Sequence, residues 1–207
     1  MDRKTFMSWS TQVPTSEQTQ DQTENAELPS ILAAGDPILR TRAESVERAE
    51  IKSPEIQDII STMVKVMRKQ SLVGMAASQI GVLKRIIVLE DREEYIAAAL
   101  SQQEREQRQR YLFPLKIIIN PKLTFFDTQS PATMVFPERS PVVQGYQGSV
   151  ERYLEVKVEG LDENGDPFEW QPRGWPARIL QHEVDHLDGI LYIDRMDSKT
   201  FKSIPAS

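Results

Sequence analysis

The sequence predicts an α+β fold, with strands gathered between an early and a late helix rather than wound in regular βαβ units. Three observations carry this. Ile56, Ile59, Ile60, Met63 and Met67 recur at helical spacing behind Ser53 and Pro54, an N-cap followed by proline at the first helical position. In YLEVKVEG, Leu154, Val156 and Val158 alternate with charged residues, the pattern of a half-buried strand. The late segment WPARILQHEVDHLDG reads as a helix opened by Pro176 and closed near Gly189.

The elements follow in order. Residues 1–28 make a polar, acidic tail rich in Thr, Gln and Glu. Such a segment cannot bury enough apolar surface to offset its ordering entropy, so a disordered tail is expected, followed by one domain over 29–207. The tail has no apolar signal core and no Arg-rich amphipathic face, so it predicts no targeting segment of its own. GDPILRTRAESV is turn-rich and extended. After the first helix, VGMAASQIG reads as a loop of small residues. RIIVLE is a strand, REEYIAAALSQQEREQRQR a polar helix or long excursion, and LKIIIN a second strand stopped by Asn120-Pro121. DENGDP, after the alternating strand, contains the hairpin signal Asn-Gly.

Composition removes several classes of function. The net charge of −6 gives no global basic field for nucleic acid or anionic lipid. No apolar run approaches the roughly 18 residues of a membrane span. With no cysteine among 207 residues, disulfides and thiolate metal ligands are excluded.

The chemistry concentrates in QHEVDHLDG, which holds both histidines of the chain. His182 and His186 stand four apart on the predicted helix and project from one face. Glu183 follows the first histidine. This is the H-E-x-x-H arrangement, with two histidines on a metal and the glutamate as general base towards a water attacking a carbonyl. Ile179, Leu180, Leu187, Ile190 and Leu191 flank the motif, so the helix is expected to be buried. A third ligand is missing downstream, where only Asp188, Asp194 and Asp197 offer carboxylates.

Beyond this motif the sequence resembles the peptide deformylases from about Leu28 to Phe201. That family shows G-x-G-φ-A-A-x-Q-φ-G (φ apolar), then E-G-C-x-S, then Q-H-E-x-D-H. Here the first reads LVGMAASQIG and the third QHEVDH. The EREQRQRYLFPLKIIINP stretch is similar to the mitochondrial branch of eukaryotic deformylases. In FPERSPVVQGYQGSVER, Gly145, Val150 and Arg152 fix the register of the middle motif. Glu138 then matches the family glutamate, Arg139 stands for its glycine, Ser140 for its metal-binding cysteine and Val142 for its serine. Leu72 replaces the first glycine of motif one.

The resemblance implies mixed or antiparallel sheets packed around the late helix, and hydrolysis of the N-formyl group from formyl-methionyl polypeptides. It implies one divalent ion, Fe2+ or Zn2+ with Co2+ or Ni2+ as replacements in vitro, on His182, His186 and the residue in the cysteine position. It implies Glu183 as the proton carrier and Gln79 as a holder of the oxyanion. Substrate contacts are expected at Gly74, Met75, Gly174, Trp175 and Ile179, although Trp175 and Ile179 also suit ordinary core. The expected partners are formyl-methionyl nascent chains, with no direct nucleic acid and no membrane, in a monomer or weak dimer. The expected location is a mitochondrion or other organelle for a eukaryotic source, otherwise the cytoplasm. A neutral serine hydroxyl is a poorer ligand than a thiolate, which predicts weaker metal binding and a preference for harder ions. Pro141 has no N–H where the family uses one for the oxyanion, a loss costing about 10²–10³ in rate. Three options stay open at the third ligand: Ser140 itself, Ser140 through water, or Glu138, which shares its strand face, although the plainer expectation is that Glu138 pairs with Arg152 or another cation. An impaired deformylase-like protein that binds peptide or regulates a paralogue is the rival reading.

Overall fold

The computed structural model describes residues 28–94, 101–125 and 132–204. The tail predicted over 1–28 lies outside these except for Leu28, which packs against the core. Residues 95–100 of the predicted polar helix also lie outside them.

The chain order is α1 (Pro54–Lys69), β1 (Gly74–Ala76), β2 (Ile86–Asp91), α2 (Gln102–Gln107), β3 (Phe113–Phe125), β4 (Thr133–Ser140) and β5 (Val143–Tyr153). It continues with β6 (Val156–Leu161), β7 (Pro167–Trp170), α3 (Trp175–Leu187), α4 (Tyr192–Arg195) and β8 (Lys202–Ser203). One sheet has the strand order β1-β2-β3-β6-β7, the other β4-β5-β8. Every strand pairing described within these sheets is antiparallel.

The apolar run of β2 explains how the larger sheet is covered. Ile87 and Leu89 face Ala177, Leu180, Val184 and Leu187 of α3. Ile86 and Val88, on the opposite face, join Ile56, Ile60, Met63 and Met67 of α1. A strand sandwiched between two helices has no solvent face, so its sequence shows a continuous apolar run rather than alternation. Each of these side chains contributes roughly 1.5–3 kcal/mol by burial. α1 opens where expected: the Ser53 hydroxyl accepts from Ile56 N–H at 3.3 Å, and Arg68 and Lys69 sit at the negative end of the helix dipole.

Some elements differ from expectation. β3 does not stop at Asn120-Pro121 but runs on to Phe125. Asn120 takes a left-handed φ of 54°, and the pairing with β6 shifts register between Ile119 and Lys122. Asparagine tolerates this region, and a proline at a bulge leaves no ladder hydrogen bond broken. The Asn120 amide also ties the strand to the N-terminal segment, accepting from Val46 N–H at 2.9 Å and donating to Val46 C=O at 2.8 Å. The small-residue loop is a short strand, β1, followed by a 3-10 turn over Ala77–Ile80. The extended GDPILRTRAESV contains a 3-10 turn at Pro37–Arg40, which Asp36 caps through Ile38 N–H. YLEVKVEG straddles the end of β5 and β6, and the Asn164-Gly165 turn joins β6 to β7.

Candidate active site

α3 carries His182, Glu183 and His186, all three buried. Its opening is set by Gly174, whose φ of 72° puts its N–H on Leu154 C=O at 2.7 Å. Ser78 of the 3-10 turn donates to His186 C=O at 3.1 Å, locking the first sequence motif against the helix. The two imidazoles lie 4.9 Å apart by ring centre, nearly perpendicular.

The β4–β5 hairpin supplies the other wall. Alternation along β4 turns Glu138 and Ser140 inward and leaves Arg139 exposed, the geometry its sequence spacing predicts. Ser140 Oγ stands 3.3 Å from His186 Nε2. Glu138 Oε2 accepts from His182 Nδ1 at 2.9 Å, so Nε2 is the nitrogen His182 has left to offer. Both Glu138 oxygens are otherwise taken: Oε1 by Arg152 Nε at 3.0 Å and Arg178 Nη1 at 2.6 Å, Oε2 by Arg152 Nη2 at 2.9 Å. Burial alone would raise the Glu138 pKa; His182 and Arg152 more than reverse this and hold it well below the carboxylate range. Glu138 is thus held by Arg152, Arg178 and His182 together. Arg152 continues the network to Asp185, which Arg195 of α4 also pairs.

Glu183 has the opposite environment. Burial pushes its pKa up to about 7, and Oε2 has no hydrogen-bond partner. Gly74 presses on it: a Cβ there would lie 2.7 Å from Glu183 Oε1 and 2.7 Å from Ile179 Cγ2. Gln79 is buried behind β1, its side-chain carbonyl accepting from Ala76 N–H at 2.7 Å, which leaves the NH2 end as the donor. His186 Nδ1 is likewise buried without a partner.

His182 and His186, with the Ser140 hydroxyl beside the second, are the side chains that would hold a divalent cation here. Among the described residues no group of three or more His, Asp or Glu could hold a metal ion, and an ion here would have only two imidazoles and a neutral oxygen donor. Pro141 opens the turn between β4 and β5. Val142, in place of the family serine, fills a small apolar cluster with Leu39 and Leu191.

A cleft of about 780 Å³ opens onto these groups, lined by Gly74, Ser140, Trp175, Ile179, His182 and Glu183 among others. Met75 and Gly174, both expected at the substrate, are not among the residues that line this cleft. The Met75 side chain is wholly buried in the core beside α1, because β1 turns it to that side of the sheet. Gly174 lies under Gln109, whose backbone oxygen a Cβ would meet at 2.7 Å, at the tight entry into α3. Sequence reasoning missed Arg178, which donates to Glu138, Val150 C=O and Met134 C=O. It also missed Arg108, which lies over the Trp175 and Phe136 rings at 5.0 and 5.2 Å. The position of Arg178, one turn before His182 on a buried helix, was the available signal.

Fold and site define a class: an α+β protein with a metallohydrolase-type H-E-x-x-H centre on a late helix. The comparisons narrow it. Residues 28–202 match the polypeptide deformylase family model, and the chain belongs to the peptide deformylase family. It is 48% identical over 178 residues to peptide deformylase 1A, chloroplastic/mitochondrial, of Arabidopsis thaliana, covering 86% of this chain and 65% of that protein. The chain thus spans just under two thirds of that relative's length. It is 41% identical over 174 residues to the mitochondrial peptide deformylase of Homo sapiens, covering 84% of this chain and 70% of that one. The structure resembles the Met-Ala-Ser-bound crystal structure of class I type b peptide deformylase from Acinetobacter baumannii. There the TM-score is 0.71 at 29% identity, over 82% of this chain and 99% of the other.

Proposed function

We propose that this chain hydrolyses the N-formyl group of formyl-methionyl polypeptides, releasing formate. The observation that carries the reading is the convergence of a buried Glu183, whose Oε2 has no partner, with two imidazoles, one of them fixed by Glu138, beside one cleft. His182 and His186, with Ser140 alongside, would hold a divalent ion, Fe2+ or Zn2+, whose chemistry is to polarise the formyl carbonyl and acidify the attacking water. Glu183, with its pKa near 7, takes the proton from that water and returns it to the leaving amine. The Gln79 amide donates to the carbonyl oxygen as it gains charge, and Pro141 adds no second donor. Trp175 and Ile179 receive the methionine side chain, and Gly74 lets the peptide backbone pass close to Glu183.

The family's organellar members support an organelle as the location for a eukaryotic source. Ser140 and Pro141 favour a second reading, a deformylase-like peptide-binding protein with impaired chemistry. The two are separated by initial rates of amide cleavage on formyl-Met-Ala-Ser and acetyl-Met-Ala-Ser, with protein loaded anaerobically with Fe(II), Co(II) or Zn(II). Release of formate without release of acetate supports the deformylase; release of neither, with any ion, leaves the binding protein.

A further inference from the structure

Two cations on the cleft wall have no task in the chemistry above. Arg139 is exposed beside Ser140, where the resemblance expects glycine, and Arg108 lies half-buried over Trp175 and Phe136. Both line the cleft. Neither has a hydrogen bond or ion pair to a carboxylate among the described residues; Glu104, one turn before Arg108, has its own carboxylate on Ser101. Burial lowers the Arg108 pKa; the Glu104 carboxylate opposes this, and the positive charges of Arg110 and Arg139 add to it, which places the three guanidiniums in one field. Arg110 is satisfied by buried Asp91.

Of the three acidic groups that line the same cleft, Glu183 is buried with its pKa raised to about 7, and the other two are already paired. Glu138 is held by Arg152, Arg178 and His182, and Glu94 by Arg92. Two planar donor forks therefore line an open cleft with no hydrogen bond or close ion pair to a carboxylate among the described residues, and such forks match a carboxylate. Their place is also defined. With the first side chain of a peptide against Trp175 and Ile179, an extended chain advances about 3.3 Å per residue, and a guanidinium reaches the next one or two positions.

We propose that the cleft selects peptides with an acidic side chain at the second or third residue, and that Arg139 and Arg108 are its specificity-determining cations. The proposal rests on the deformylase reading for the placement of the first residue. Its test is calorimetric titration of the full, zinc-loaded chain with the amidated product peptides Met-Glu-Ser, Met-Gln-Ser, Met-Ser-Glu and Met-Ser-Gln. Products are not consumed, and the amide removes the terminal carboxylate.

The expected result is about tenfold tighter binding of one glutamate peptide than of its glutamine twin. The ratio shrinks in 1 M NaCl and falls below about threefold in Arg139→Ala, whose exposed position keeps the fold intact. Equal affinities within both pairs, or a preference that survives in an Arg108→Gln, Arg139→Ala double variant, overturn the proposal. If formate release persists in those cases, the deformylase reading stands. Binding of none of the four peptides overturns the proposal together with the placement it rests on.

Discussion

Replacing Glu138 by alanine removes the carboxylate on which Arg152, Arg178 and His182 converge. The side chains of Arg152 and Arg178 are 4% and 3% exposed, so water cannot replace the lost partner. Breaking a buried ion pair from one side costs about 3–5 kcal/mol. The remaining contacts decide where in that range the loss falls: Arg152 keeps Asp185, and Arg178 keeps the carbonyls of Val150 and Met134. A loss of about 3 kcal/mol is therefore expected, a large part of the 5–15 kcal/mol that typically holds a domain together. With a urea m-value of about 1–3 kcal/mol/M, the midpoint falls by at least about 1 M, read by far-ultraviolet circular dichroism. Freed from its acceptor, the His182 ring loses its fixed orientation, and zinc affinity by chelator competition drops about 10–100-fold. A loss below about 1 kcal/mol with unchanged zinc affinity would refute the claim that Glu138 organises both the network and the ligand.

Further predictions follow from single contacts. Gly74→Ala places a methyl 2.7 Å from Glu183 Oε1, so the formate-release rate falls about 100-fold while the thermal midpoint moves by only a few degrees. Ser140→Cys puts a thiolate beside His186, and chelator competition should show zinc bound at least tenfold more tightly. Glu90 has a pKa lowered from 4.5, first by its hydrogen bond to Arg68. Because its folded pKa is the lower one, its contribution is complete above about 4.5 and is lost as pH falls through the folded value. In Glu90→Gln, stability should accordingly depend less on pH in this acid range, measured by urea titration.

The sequence showed best what is local. His182, Glu183 and His186 lie within one turn of helix, and Glu138 and Ser140 are two apart on a strand, so short-range periodicity placed each set on one face. What joins the two sets was only partly legible: the pairing of Glu138 with Arg152 was expected, the rest of the network was not. Arg178, Arg152 and Asp185 meet Glu138 or each other across separations of 14 to 40 residues, and no spacing rule reaches that far. Met75 was expected at the substrate from the family resemblance alone, and three successive buried residues in β1 give no alternation to show which side faces the cleft. Asn120-Pro121 misled because the pair is a good strand terminator and an equally good bulge, and only the neighbouring strand β6 and Val46 decide between them.

The central claim is that Glu183 moves the proton at a centre held by His182 and His186. The most direct measurement is formate release from formyl-Met-Ala-Ser by the zinc- or iron-loaded chain against its Glu183→Ala variant, with metal content matched. The account predicts turnover in the first and a rate reduced at least 100-fold in the second, with peptide binding retained. Equal rates in the two proteins would contradict it.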